Sequence, residues 1–135
     1  MFMFEEFFNN VTLCKKGNYN ERIDFFFDCM VDAIEHYSKK KEIPSREYSD
    51  KFMQIAIKQK YSGYSRSILA NKFIEYTAAK PIQKDMAFFA VKYLVSELYT
   101  DKEIGEIFGY SNQIVGRHIK TAQLEIVRAS RRLQE

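Results

Sequence analysis

The sequence predicts an all-α fold: a compact helical protein with a C-terminal three-helix unit built on a helix-turn-helix, and a second unit of that kind in its middle as an added expectation. Three observations predict it. Only 5 glycines and 2 prolines interrupt 135 residues, too few breaks for the many turns of a β-sandwich. Apolar residues recur in steps of three and four along most of the chain, which is the helical period. The strand signal is poor everywhere. Hydrophobic residues make up 46% of the chain and aromatics, all Phe and Tyr, 16%. A chain of this length buries one modest core.

Taken in order, residues 2–14 read as a short helix with Phe4, Phe7, Phe8 and Val11 on one side. Residues 15–20 form a turn, and Asn20 is an expected N-cap. The next helix places Ile23, Phe27, Met30, Ile34 and Tyr37 on one stripe, widened by Phe26 and Ala33. That stripe is core rather than a cofactor site. The polar run 38–44 closes an N-terminal helical segment, residues 1–44. Ser45 or Ser49 then caps a helix through Phe52, Ile55, Ala56 and Gln59, and 61–64 is a turn. Ser65 caps a further helix to Thr77, which makes 45–80 a helical hairpin. Pro81 suits the first turn of a helix that runs to Tyr99 with Met86, Phe89, Ala90, Tyr93, Leu94 and Leu98 inward. It opens the C-terminal unit, 81–135.

Residues 99–122 read YTDKEIGEIFGYSNQIVGRHIKTA. Thr100 and Glu103 have capping-box spacing and fix a helix start. Ile104, Ile107 and Phe108 give that helix an apolar face. Gly105 is small where a bulky side chain would push the next helix away. Gly109 stands where a helix-turn-helix needs a residue able to take positive φ. Ser111 can cap the second helix, whose buried positions are Val115 and Ile119, flanked by Ile114. Asn112, Gln113, Gly116, Arg117 and Lys120 are left on the exposed face. Asn, Gln and Arg can make bidentate contacts to adenine or guanine edges in the major groove, and Gly116 lets the helix approach DNA closely. Ser111 joins these five as a candidate DNA contact.

This run resembles the DNA-binding helices of the fourth conserved region of bacterial sigma factors and of LuxR-type regulators. Their pattern is roughly D/S-x-x-E-I-A-x-x-L-G-I-S-x-x-T-V-x-x-H-L. Gly105 stands for the usual Ala, Phe108 for Leu, Tyr110 for an aliphatic residue and Ile114 for Thr, while His118 falls on the frequent His. The resemblance covers about residues 82–125, a third of the chain, and implies a bacterial or phage transcription regulator bound to double-stranded DNA.

Two further patterns extend the reading. GYSRSILANKFI at 63–74 parallels GYSNQIVGRHIK at 109–120, displaced by 46 positions from Gly63 to Gly109. If 50–77 repeats the motif, Arg66, Ser67, Asn71 and Lys72 form a second DNA-binding set. The competing reading is two similar helical corners. A third copy at Gly17 needs a one-residue insertion. In the tail, Val115, Ile119, Ala122, Ile126, Ala129 and Leu133 follow a heptad seam. It implies one long helix from Ser111 to Arg132, packed against the N-terminal half of the same chain or against a second subunit in a homodimer.

Charge is uneven. Residues 1–50 carry 7 basic and 10 acidic side chains, residues 51–99 carry 8 and 3, and residues 100–135 carry 6 and 5. Positive charge in the middle and at the end suits phosphate contacts. Cys14 and Cys29 are too few and too isolated for a disulfide framework or a zinc site, so reduced thiols in an intracellular protein are expected. The start lacks the basic segment of a secretory signal. No apolar run approaches the roughly 20 residues that cross a bilayer. No phosphate loop, paired carboxylates or Ser-His-Asp set is visible, and His36 sits among charged residues at a helix end. The expectation is therefore a cytoplasmic DNA-binding transcription regulator that is not an enzyme and needs no cofactor or metal. The alternatives are a sigma-like accessory protein that binds RNA polymerase and promoter, and a phage-type interaction or inhibitor protein on a helical scaffold.

Overall fold

The structure, a computed structural model, describes residues 4–15, 17–38, 43–58, 65–95 and 99–134, with the backbone alone at Ser38, Ser65, Arg66 and Ser67. The described residues form seven helices and no strand: α1 (Phe4–Val11), α2 (Tyr19–Ser38), α3 (Arg46–Ala56), α4 (Ser65–Ala79), α5 (Lys84–Tyr93), α6 (Asp101–Phe108) and α7 (Asn112–Gln134). The fold is all-α, as the sequence predicts.

Phenylalanine builds the centre. Phe26, Phe52, Phe73, Phe88 and Phe89 are fully buried. Phe4, Phe8 and Phe26 pack ring on ring between α1 and α2, and Phe52 meets Phe73 edge-on between α3 and α4. Every residue of α5 except Lys84 and Lys92 is buried. It packs on α3, α6 and α7, while α2 lies against α4 and α7. One apolar core runs from Phe4 to Ala129 through all three sequence segments.

Helix ends follow local chemistry, and three differ from expectation. The cap of α2 is Asn18, whose Oδ1 accepts from the Glu21 amide at 3.0 Å; Asn20 lies inside the first turn. Ser45, not Ser49, caps α3: its hydroxyl accepts from the Glu47 amide, while Ser49 is buried and donates to the Lys80 carbonyl. Pro81 does not open α5. It lies in an extended segment where the Ser45 amide donates to the Ile82 carbonyl at 2.9 Å, an isolated antiparallel bridge. Gln83 then precedes α5, which ends at Tyr93 rather than Tyr99. Gln59, the turn 61–64 and Leu98 lie outside the described residues.

The heptad seam of α7 is buried at Val115, Ile119, Ala122, Ile126 and Ala129, and Leu133 is 40% exposed. The seam is occupied within the chain, by α2, α5 and α6. Arg132 fixes the far end with an ion pair to Asp32 on α2 at 2.8 Å.

Candidate nucleic-acid interface

The site begins with the cap of α6. Thr100 is extended, its hydroxyl accepts from the Glu103 amide, and the Glu103 carboxylate accepts from the Thr100 amide at 3.0 Å. That amide, and then the Thr100 hydroxyl, which donates to the same carboxylate oxygen at 3.0 Å, hold the Glu103 carboxyl below its ordinary range, because both favour the ionised form. At the other end, Gly109 has φ of +84°, a left-handed conformation that costs other L-residues about 1–2 kcal/mol. The amides of Gly109 and Tyr110 both donate to the Gly105 carbonyl, at 2.7 and 2.9 Å.

The two glycines serve different needs. A Cβ on Gly109 would meet nothing within 4 Å, so only its φ matters. A Cβ on Gly105 would overlap the carbonyl oxygen of Tyr110. The obstacle is the backbone of the connection rather than α7, so even the alanine usual in the resembled pattern has no room. Ser111 starts α7: its Oγ accepts from the Ile114 amide at 3.3 Å and its carbonyl from the Val115 amide at 3.0 Å.

The angle of α7 is set by Phe88 on α5. Its ring stands edge-on to Phe108, Tyr110 and His118, with centroids 4.9, 5.7 and 5.7 Å away. His118 Nδ1 is bonded to Oδ1 of the buried Asp85. His118 thus faces the interior of the unit. Tyr110 also meets Tyr48 of α3, hydroxyl to hydroxyl, at 3.0 Å.

This leaves the opposite face of α7 outward. Asn112, Gln113, Arg117 and Lys120 are exposed and Gly116 half-buried. Together with Asp101 they rim an open depression of about 450 Å³. Ser111 is exposed beside them; its oxygen is used as a cap, and its O–H remains a donor. Sequence reasoning missed Asp101. Its Oδ1 is bonded to Nζ of Lys92, which reaches across from α5. With that carboxylate matched to Lys92, Arg117 and Lys120 have no ion-pair partner among the described residues. Farther along α7 the cations serve the fold, Arg128 on Glu125 and Arg132 on Asp32.

Gly116 also has a neighbour within the chain. What comes close to it is Asp101 Oδ2, which would lie 3.2 Å from a Cβ there. A glycine inside a helix costs roughly 1 kcal/mol against alanine, and that cost was the signal that something approaches this position.

The middle set is arranged otherwise. Asn71 is exposed, but Lys72 pairs with Asp24 of α2 at 3.0 Å and lies over the Phe27 ring. Next to it, partial burial and then the Asp24 charge raise the Asp28 carboxyl. The side chains of Arg66 and Ser67, and Gly63, lie outside the described residues.

Among the described residues no three His, Cys, Asp or Glu side chains are placed to hold a metal, and no helix is long and apolar enough to cross a membrane. Cys14 is exposed and Cys29 buried, both as free thiols. Burial, then the Asp28 charge, pushes the Cys29 thiol up to about 12, which makes it a poor nucleophile. Compared with protein-family models, with curated proteins and with solved structures, the chain matches none.

Proposed function

We propose that this chain is a sequence-specific DNA-binding regulator of transcription that lays the first turns of α7 in the major groove. The observation that carries this reading is one exposed surface. Asn112, Gln113, Arg117 and Lys120 stand together on it, its two cations without an ion-pair partner among the described residues, on a helix whose other face is held by Phe88 and Asp85. Amide and guanidinium side chains on a rigid helix can read base edges in pairs of hydrogen bonds. The turn between α6 and α7 supports the reading, because the αL Gly109, the crowded Gly105 and caps on both helices are the parts a helix-turn-helix needs. The six-residue set Ser111, Asn112, Gln113, Gly116, Arg117 and Lys120 is its reading surface, with Gly116 making room for Asp101. A helical inhibitor would be expected to cover such a face with its own chain or an apolar patch; here the face is open and basic.

The test is a gel-shift series on duplexes selected from a random pool. Arg117→Ala should weaken the selected duplex by about 1–3 kcal/mol and loosen preference at one base pair. Unchanged affinity and preference would remove Arg117 from the reading surface.

A further inference from the structure

We infer that Asp101 is a specificity residue of this interface, a carboxylate that accepts from the exocyclic amine of cytosine while Lys92 balances its charge. The inference rests on the DNA-binding reading and deepens it. A single acid in the middle of a surface meant for a polyanion needs a reason. Ordinary solvated carboxylates stand clear of such surfaces, whereas Asp101 is built into this one. It is the first residue of α6, so the capping box at Thr100 and Glu103 fixes its backbone. One carboxylate oxygen is bonded to Lys92. The other lies beside Gly116 of α7, 3.2 Å from where a Cβ would stand there, so a glycine at 116 gives it more room than a larger residue would. Asp101 lines the depression together with Asn112, Gln113, Arg117 and Lys120.

The chemistry of the major groove then selects the base. Cytosine presents its N4 amine as a donor, and Asp or Glu accepts from it; adenine sets the acceptor N7 beside its N6 amine, and guanine presents only the acceptors O6 and N7, which a carboxylate repels. A carboxylate also repels phosphate, so it discriminates against non-cognate DNA as well as choosing a base. Lys92 reduces that repulsion and holds the carboxylate in one orientation. Lys92 comes from the enclosed helix α5 and its side chain is 28% exposed, so it is a fixed support rather than a competitor for the DNA backbone.

A plain tether between α5 and α6 would be the other use of this pair, and the two uses separate cleanly. Breaking a tether has the same consequence from either end. A reading carboxylate with a balancing ammonium gives opposite consequences. The full chain, Asp101→Asn and Lys92→Met are each used to select from a randomised duplex pool, and the winners and a scrambled duplex are then titrated. The wild type should enrich a motif containing cytosine. Asp101→Asn should lower the preference for cytosine at one position about tenfold or more and tighten the scrambled duplex several-fold. Lys92→Met should weaken every duplex several-fold and keep the cytosine preference. Equal changes in the two variants, or a wild-type motif that Asp101→Asn leaves unaltered, overturn the inference and leave the DNA-binding reading standing. A wild type that enriches nothing removes both. If Lys92→Met does not fold, Asp101→Asn alone decides.

Discussion

The corner between α6 and α7 and the corner between α3 and α4 share a sequence signature and differ in construction. Between α6 and α7 three residues, Gly109, Tyr110 and Ser111, make the whole connection, and both flanking helix ends are capped. At the other corner α3 ends at Ala56 and α4 begins at Ser65. At the first corner the outward cations Arg117 and Lys120 have no ion-pair partner among the described residues, and Asp101 beside them is held by Lys92. At the second, Lys72 is turned onto Asp24, beside an acidic stripe on α2 that includes Asp28. Matching Gly, Tyr, Ser and Ile at 46 positions' spacing therefore does not give Lys72 and the outward cations of α7 the same surroundings. What differs is which partner each cation finds after packing.

The comparison breaks most severely at Gly105. Gly105→Val should destabilise the fold by about 3 kcal/mol, because backbone at Tyr110 cannot move away as a side chain could. Gly109→Val should cost about 2 kcal/mol and disable DNA binding with it, the strain lying in φ alone. Thermal melts rank the two. A Gly109→Val chain that melts with the wild type would show that this turn does not need its left-handed residue.

The next effect sharpens the contrast between the corners. Lys120→Ala should reduce the slope of log affinity against log salt by close to one unit, the release of about one counterion. Lys72→Ala, and Arg66→Ala with Lys72→Ala, should leave that slope nearly unchanged, since the Lys72 ammonium already faces Asp24. As a half-exposed ion pair, Lys72 with Asp24 contributes at most about 1 kcal/mol to stability. A drop of one to two units in the double variant would restore 50–77 as a second DNA-contacting unit.

Much of this was legible because it is local. Thr100, Glu103, Gly109 and Ser111 act on neighbours one to five residues away, so their spacing states their roles. The stripe on α2 and the seam on α7 are legible for the same reason, as each repeats with the helix period. The limits of α5 were not. Nearly every residue of that helix is buried, so no polar face marks where it begins or stops, and Pro81 was drawn into it although it belongs to the bridge between Ser45 and Ile82. Nor were Asp101 with Lys92 or His118 with Asp85 legible, because each joins two helices whose crossing no short-range pattern encodes. Gly116 reads in the sequence as a place where DNA can come close, and the structure adds Asp101 beside it, a neighbour no local spacing shows.

The smallest expected effect lies in the cap of α6. The Glu103 carboxyl is held below its ordinary value of 4.5. Its ionised form therefore stabilises the fold fully above that value, and the contribution is lost as pH falls through the depressed folded-state value. Glu103→Gln keeps a capping side chain but not the charge. Chemical denaturation of both proteins should show a difference at neutral pH that disappears on acidification. A difference independent of pH would assign the cap's effect to shape alone.

The most direct test of the interface is to titrate the isotopically labelled chain with a duplex selected from a random pool and follow its amide resonances. The account predicts changes concentrated at Ser111, Asn112, Gln113, Gly116, Arg117 and Lys120 and at the start of α6, with α2 and α4 nearly still. Changes centred on α2 and α4, or none at duplex concentrations that saturate other DNA-binding helices, would contradict it.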